Sequence, residues 1–243
     1  MAQLINRKSA SVQQSISAIT TIYPHLSQLK KLPIIYNNQL DTTVPIISGG
    51  GSGHEPAHFG YVGNGMLTAA ICGDIFIPPH AEEILEAIRF VHKGNGVFII
   101  VKNFEADIKE FAKAFKAARK EGITIKYIVS HDDISVETSN FQVRHRGVAG
   151  TLLLHKILGE AAKRGANLDE LEQMALSLST SIATLGVATK PATIPGEDKK
   201  LFLWKMMKSL LVLVFMVSPV IGQRNLFLLN TSLMNLLTSF GCV

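Results

Sequence analysis

Apolar residues recur at Val12, Ile16, Ile19 and Ile22, three or four positions apart, and predict an amphipathic helix within residues 8–30 that ends before Pro24. After a polar linker, Val44-Pro45-Ile46-Ile47 is a short apolar run that feeds straight into Ser48-Gly49-Gly50-Gly51-Ser52-Gly53-His54-Glu55-Pro56. That order reads as a strand followed by a glycine loop. Further apolar runs at 96–101 and 124–129 each close on polar residues, and the stretch between them, Ile108 to Lys120, has helical periodicity. Strand, helix and strand in alternation predict an α/β fold with a mixed, largely parallel sheet flanked by helices. Two more helices are expected, from Gly150 to Arg164 on Leu153, Ile157, Leu158 and Ala161, and from Leu168 to Ala183.

The chain has 243 residues, of which 47% are hydrophobic and 18% charged, enough to bury one large core and outside the disordered range. Its two cysteines, Cys72 and Cys242, form no CxxC or Cys/His pattern, which argues against a disulfide framework or a zinc site and fits a reducing cytoplasm. Residues 1–33 are polar and punctuated, unlike a signal peptide. The formal charge of +5 dissolves when divided along the chain: residues 1–200 carry 21 Lys+Arg against 19 Asp+Glu. The densest basic stretch, Lys109 to Lys120, is interleaved with Glu110, Phe111 and Phe115, so no nucleic-acid-binding face is expected.

Glycine lowers the stability of strands and helices alike, so the five glycines of Gly49 to Gly53 and Gly60 call for another reason. Backbone without Cβ atoms can bring N–H groups against a small polar ligand or phosphate at the carboxyl end of a strand, where α/β folds place ligands. The loop has neither the Gly-Lys-Ser/Thr of a Walker motif nor dinucleotide spacing. His54 stands at its end, where a neutral imidazole can take a proton from a hydroxyl, whereas His58 reads as a structural histidine. Lys102, Asn103, Glu105 and Asp107 begin as the strand over 96–101 ends and should reach the same mouth of the sheet. Asp107 can work opposite His54, although its place ahead of a helix also suits an N-cap. Asp132 and Asp133 read as solvated loop carboxylates rather than a Mg²⁺ site, and no metal site is expected.

Ser48 to Pro56, Gly60-Tyr61-Val62-Gly63 with Gly65-Met66-Leu67, Val101-Lys102-Asn103 with Asp107, Asp132-Asp133, and Arg146-Gly147-Val148-Ala149 together resemble the DhaK family, the dihydroxyacetone-binding subunits of dihydroxyacetone (glycerone) kinase. The resemblance covers residues 1–198. It implies a homodimeric α/β protein that binds dihydroxyacetone through Gly51, Ser52, Gly53 and His54, with Lys102 and Asp107 also at the substrate. It further implies that His54 is an acid/base at a substrate hydroxyl and that Asp107 is a second catalytic residue. No cofactor is expected in the chain itself, since nucleotide and Mg²⁺ belong to a helical partner subunit. The family also includes a non-catalytic paralogue, DhaQ, that binds dihydroxyacetone and co-activates a transcriptional regulator. Glu105-Ala106 before Asp107, where Thr-Gly is common, and Arg144-His145 before Arg146 depart from the kinase pattern. The first reading is a kinase subunit, with the co-activator as the alternative.

Kinase subunits of this family carry a second histidine, which holds the substrate carbonyl as a covalent hemiaminal within Gly-Ile-His-Gly-Glu-Pro-Gly, and no such motif occurs here. Residues 201–243 contain Lys205, Lys208 and Arg224, no acidic residue, and 27 apolar residues. Read one base out of register, the eighteen codon junctions from Trp204 to Gly222 permit EDDEISFGIGIHGEPGYR, with its histidine codon straddling Phe215 and Met216. Residues 199–243 are therefore expected to be an aberrant apolar tail, a frameshift of a second domain arising near Lys199-Lys200. Lys205, Lys208 and Pro219 confine the uninterrupted apolar run to about half the roughly 20 residues of a membrane span, so no membrane helix is expected.

Overall fold

A strand with apolar side chains on both faces must be covered by a layer on each side, and Val97-Phe98-Ile99-Ile100-Val101 has that composition. In the computed structural model, which describes residues 7–39, 43–134 and 145–185 and the backbone of 213–216, this run forms β5 (Val97–Lys102), buried throughout. Its side chains sort by alternation. Phe98 and Ile100 enter one apolar cluster, and Val97, Ile99 and Val101 enter the other.

The first cluster lies under α1 (Ser11–Ile22), α4 (Thr151–Lys163) and α5 (Leu168–Ser179), which contribute Ile16 and Ile19, Leu154 and Leu158, and Leu171 and Ala175. The second lies under α2 (Ala81–Val91) and α3 (Glu105–Lys120), through Ile84 and Ile88, and Phe111 and Ala114. Between them runs one six-stranded sheet containing β1 (Leu26–Gln28), β2 (Ile34–Asn37), β3 (Ile46–Ser52), β4 (Ala69–Ile75), β5 and β6 (Ile125–Ser130). Its order is β1-β2-β4-β3-β5-β6. β4, β3, β5 and β6 are parallel, while β1 and β2 are antiparallel. A separate pair, β7 (Ile182–Leu185) with β8 (Leu213–Met216), is antiparallel in the register Ile182↔Met216 to Leu185↔Leu213.

The α/β class, the helix ahead of Pro24 and the strands over 96–101 and 124–129 agree with the sequence pattern. Four expectations change. The glycine stretch is not a loop: Gly49, Gly50 and Gly51 continue β3 and pair with Ile71, Cys72 and Gly73 of β4. The helix expected to reach Ala183 stops at Ser179, and Ile182 and Ala183 pass into β7. Asp107 is not an N-cap, because α3 begins two residues earlier at Glu105. Asp132 and Asp133 are buried rather than solvated. β1, β2, β4 and α2 carry no sequence signal that singled them out. The tail expected over 199–243 lies outside the described residues except for the backbone of β8.

Part of the basic run of α3 is neutralised on the helix itself, where Lys109 pairs with Glu105 and Lys113 with Glu110. Among the described residues no helix is long and apolar enough to cross a membrane. Gly49 has no room for a side chain: a Cβ there would stand 2.7 Å from the Ile71 carbonyl oxygen and 3.1 Å from the Ile71 Cβ. Because the obstacle is backbone in the centre of the sheet, Gly49→Ala should lower unfolding free energy by about 2 kcal/mol in a denaturant titration. Unchanged stability would show that β3 and β4 can part at that point.

Candidate functional site

β3 and β5 are neighbours, yet the chain leaves them on opposite faces of the sheet. After β3, Phe59, Tyr61, Val62 and Leu67 pack into the cluster under α1 and α4, whereas after β5 the chain enters α3 over the other cluster. A crevice beyond the carboxyl ends of two such strands is the place where open α/β sheets hold ligands. Residues from both connections meet there. His54 Nε2 lies 2.5 Å from the Nζ of Lys102, the last residue of β5. Asp107, in the first turn of α3, is only 7% exposed.

Gly50 is what lets them converge. A Cβ on Gly50 would stand 2.8 Å from His58 Nε2, 3.2 Å from Asp107 Oδ1 and 3.4 Å from Lys102 Cε. Any side chain at this position would fill the space that three functional groups share. Gly53 has φ +104°, a left-handed conformation that turns the chain out of the strand, and its N–H donates to Glu55 Oε1 at 3.0 Å. Ser52 is buried, and its hydroxyl donates to the Gly73 carbonyl at 2.7 Å, so it ties β3 to β4. Gly51 lies against the backbone of Phe76 and Ile77. The expected set Gly51, Ser52, Gly53, His54, Lys102 and Asp107 is thus gathered at one edge, but with Ser52 turned into the sheet. A cleft of about 720 Å³ between α1 and the end of β3 is lined by Ser15, Ser52, Gly53, Glu55, Phe59 and Cys72; His54, Lys102 and Asp107 are not in its wall.

The far side of the crevice is a braced wall. Asp132 accepts hydrogen bonds from the backbone N–H of Val148 and Gly150 and from the Thr184 hydroxyl, and so joins the end of β6 to the start of α4 and to β7. Asp133 receives Arg146 through Nε at 2.8 Å and Nη2 at 2.7 Å. Gly147 fits against Ser130 and the Asn103 backbone. The two aspartates are therefore neither surface carboxylates nor free cation ligands. Among the described residues no group of three or more His, Cys, Asp or Glu is placed to hold a metal ion.

Burial dominates the electrostatics. It lowers the His54 pKa to about 4, helped by the charge on Lys102 and opposed by Glu55. Burial also lowers the Lys102 pKa, against the pull of Asp107 and Asp132. The Asp107 carboxyl is pushed up to about 6 by burial, with Lys102 opposing. With Lys102 protonated, its ammonium donates to His54 Nε2, and the imidazole presents Nδ1–H as a donor while Asp107 presents an acceptor. That pairing suits a small molecule bearing both a carbonyl and hydroxyls. Sequence reasoning missed His155. It lies in α4, about a hundred residues from His54, and its ring is 6.0 Å from that of His58 and 5.4 Å from that of Tyr61. It occupies a buried apolar face beside Leu154 and Leu158, a pattern that resembles ordinary core.

A parallel α/β domain with a polar cluster at the crevice between diverging connections is the architecture of a small-molecule-binding domain. Residues 17–208 match the Dak1 domain, and the chain belongs to that family. It is 60% identical over 186 residues to the DhaKLM operon coactivator DhaQ of Lactococcus lactis, covering 76% of this chain and 57% of that protein. It is 42% identical over 199 residues to the dihydroxyacetone-binding subunit DhaK of the PTS-dependent dihydroxyacetone kinase 1 of Listeria innocua, covering 80% of this chain and 60% of that protein. Among solved structures, the dihydroxyacetone kinase operon co-activator DhaQ superposes with TM-score 0.75 at 53% identity, over 85% of this chain and 66% of that one. The dihydroxyacetone kinase of Citrobacter freundii does so with TM-score 0.77 at 38% identity, over 82% of this chain and 38% of that one. The chain spans about three fifths of the length of the first two relatives. The family and fold expected from the motifs are thereby established.

Asp107 and His54 contribute to stability with opposite pH dependence. Asp107, raised from 3.8 to about 6, adds stability that is complete below its unfolded pKa and lost as pH rises through 6. His54, lowered from 6.5 to about 4, adds stability present above 6.5 and lost as pH falls through 4. Asp107→Asn should therefore gain about 3 kcal/mol relative to wild type between pH 3 and pH 8, read from denaturant midpoints across that range. A gap that stays constant with pH would show that Asp107 is not desolvated.

Proposed function

We propose that this chain is the dihydroxyacetone-binding domain of a DhaQ-type co-activator, which senses its ligand and passes that state to a transcriptional regulator without phosphorylating it. The observation that carries this reading is the identity of 60% to the L. lactis coactivator, against 42% and 41% to DhaK kinase subunits over similar lengths. His54, Lys102 and Asp107 support ligand recognition: donor and acceptor groups converge at a crevice sized by Gly50. Gly51, Gly53 and the Ser52 backbone border it. On this reading the ligand is bound in the cytoplasm by a homodimer, and the chain itself carries no nucleotide or metal.

The second reading is a kinase subunit that presents a dihydroxyacetone hydroxyl to a helical, nucleotide- and Mg²⁺-bearing partner, with His54 as acid/base and Asp107 as a second catalytic residue. It is supported by the likeness to DhaK subunits and by the presence of His54 and Asp107 in the crevice. Against it stand Glu105-Ala106 at the start of α3. The Glu105 side chain is 83% exposed, beside the mouth through which such a partner must reach the ligand. Residues 199–243 we read as a frameshifted second domain, which removes the covalent histidine from this chain.

Titration with carbonyl-¹³C dihydroxyacetone tests the reading. Saturable binding should appear, and the bound carbonyl should keep a ketone shift rather than move to a hemiaminal. His54→Ala should weaken capture about tenfold, equivalent to about 1.4 kcal/mol. A chain with one base restored near codons 199–200 should regain the hemiaminal signal yet release no dihydroxyacetone phosphate when supplied with a kinase partner subunit and its phosphate donor. Phosphate transfer by that chain would overturn the co-activator reading in favour of the kinase subunit. Resequencing codons 199–222 should show whether the base is absent from the gene itself.

A further inference from the structure

Phe76, the residue after β4, stands in the left-handed region with φ +58°. The Ile77 N–H donates to the Asp74 carbonyl at 3.0 Å, so Phe76 is the third residue of a tight turn, a place that takes glycine or asparagine when its φ is positive. Core packing does not account for the choice either, because the residue is 37% exposed. What the turn gains is contact with the end of β3. The pairing of β4 with β3 skips Asp74, passing from Gly51↔Gly73 to Ser52↔Ile75, and the extra residue re-aims the chain that follows. The Phe76 N–H then donates to the Ser52 carbonyl at 2.8 Å. Its ring takes the place of a side chain on Gly53, where a Cβ would stand 2.9 Å from Phe76 Cε1 and 3.1 Å from Cζ.

We propose that Phe76 is a positioning residue for His54, holding the Gly53 turn from which the imidazole reaches Lys102. Three contacts fix that turn. The Phe76 N–H holds the Ser52 carbonyl, Glu55 Oε1 holds the Gly53 N–H at 3.0 Å, and the Phe76 ring covers the side-chain face of Gly53. Gly53 needs its left-handed φ of +104° to leave the strand, yet glycine has the widest backbone freedom of any residue and carries nothing of its own to pack. The ring supplies from the neighbouring strand the packing that Gly53 lacks. With the turn held, the next residue, His54, places Nε2 2.5 Å from Lys102 Nζ, and rotation at Gly53 would swing the imidazole away from the end of β5. The other titratable groups facing His54 are Glu55 beside it and His58, whose ring lies edge-on at 5.9 Å. Gly51 serves the same arrangement: a Cβ there would stand 2.7 Å from Ile77 N and 2.9 Å from the Phe76 carbonyl carbon, so the turn can lie on β3 only where that side chain is missing.

Held in this way, His54 is shielded from water and kept beside an ammonium, and both keep its imidazole neutral. The test is an NMR titration of the His54 ring in the ligand-free full chain. Phe76→Gly removes the ring and suits the left-handed backbone, and should raise the His54 midpoint from about 4 by about one pH unit, a tenfold change in its acid constant. Phe76→Asn, which also tolerates that region, should do the same, and Phe76→Tyr, which keeps the ring, should hold the wild-type midpoint. A midpoint unmoved by Phe76→Gly or Phe76→Asn would overturn the proposal, as would one moved as far by Phe76→Tyr. A phenylalanine with only a structural role would shift unfolding midpoints and leave the His54 titration alone. Should neither ringless variant fold, wild type decides: nuclear Overhauser contacts from the Phe76 ring to the Gly53 α-protons are expected, and their absence would refute the clamp. The consequence for capture, an affinity for dihydroxyacetone about threefold weaker in Phe76→Gly and recovered in Phe76→Tyr, rests on the proposed function. The ligand-free titrations do not, so the two can fail separately.

Discussion

The centre of the sheet contains a strand with three successive residues that carry no side chain, and the rest of the site depends on it. Gly49, Gly50 and Gly51 pair with β4 in a parallel ladder, just beyond Ser48, the last residue of β3 paired with β5, where branched side chains would normally give the best packing. Giving them up costs stability, because glycine loses the most backbone entropy on ordering and buries no apolar surface. The cost is offset by neighbours dense in apolar contacts: Ile46 and Ile47 before the glycines, Ile71 beside them, and the fully buried run of β5. In return, groups from both faces of the sheet approach the same backbone to within a van der Waals contact. A single methyl at Gly50 would push His58, Lys102 and Asp107 apart.

That convergence decides the electrostatics. Lys102 and Asp107 hold opposite charges near one another beside the neutral imidazole of His54, with too little solvent to be comfortable, and desolvation is the first cause of the shift at each of the three. Pairing reduces the penalty without removing it. The opposite choice is made just beyond the end of β6, where Asp132 and Asp133 are engaged by backbone amides, Thr184 and Arg146. One set of carboxylates builds the wall and the other is left incompletely satisfied. A group kept in that condition is available to a ligand, and the same fold therefore serves a sensor or a kinase subunit according to what surrounds the mouth.

The helix before Pro24, the strand over 96–101 and the α/β class were legible because each rests on local periodicity, and periodicity follows from side chains having to point at a core. The glycine motif was legible as a site but misread as a loop. A run of glycines has no side-chain alternation, so nothing local reveals that β4 will pair with it. β4 itself, Ala-Ala-Ile-Cys-Gly-Asp-Ile, is too small and mixed to stand out. Asp107 and the Asp132-Asp133 pair were picked out as chemistry-bearing, yet whether a carboxylate is solvated, capping or buried depends on what folds over it. Here that is α4, arriving from fifteen or more residues downstream.

By itself the sequence determined the class of fold, the family and the residues eligible for the site, since these reside in periodicity and in motifs whose spacing survives without coordinates. Tertiary structure alone decided which of those residues meet. Diverging connections brought His54 and His58 from the end of β3, and Asp107 from the end of β5, to the place where Lys102 closes β5. α4 then supplied His155 as backing and engaged Asp132 through the N–H of its N-cap residue Gly150. The physical reason is that hydrogen-bond satisfaction and burial are properties of neighbours in space, and the neighbours of this site come from segments tens of residues apart.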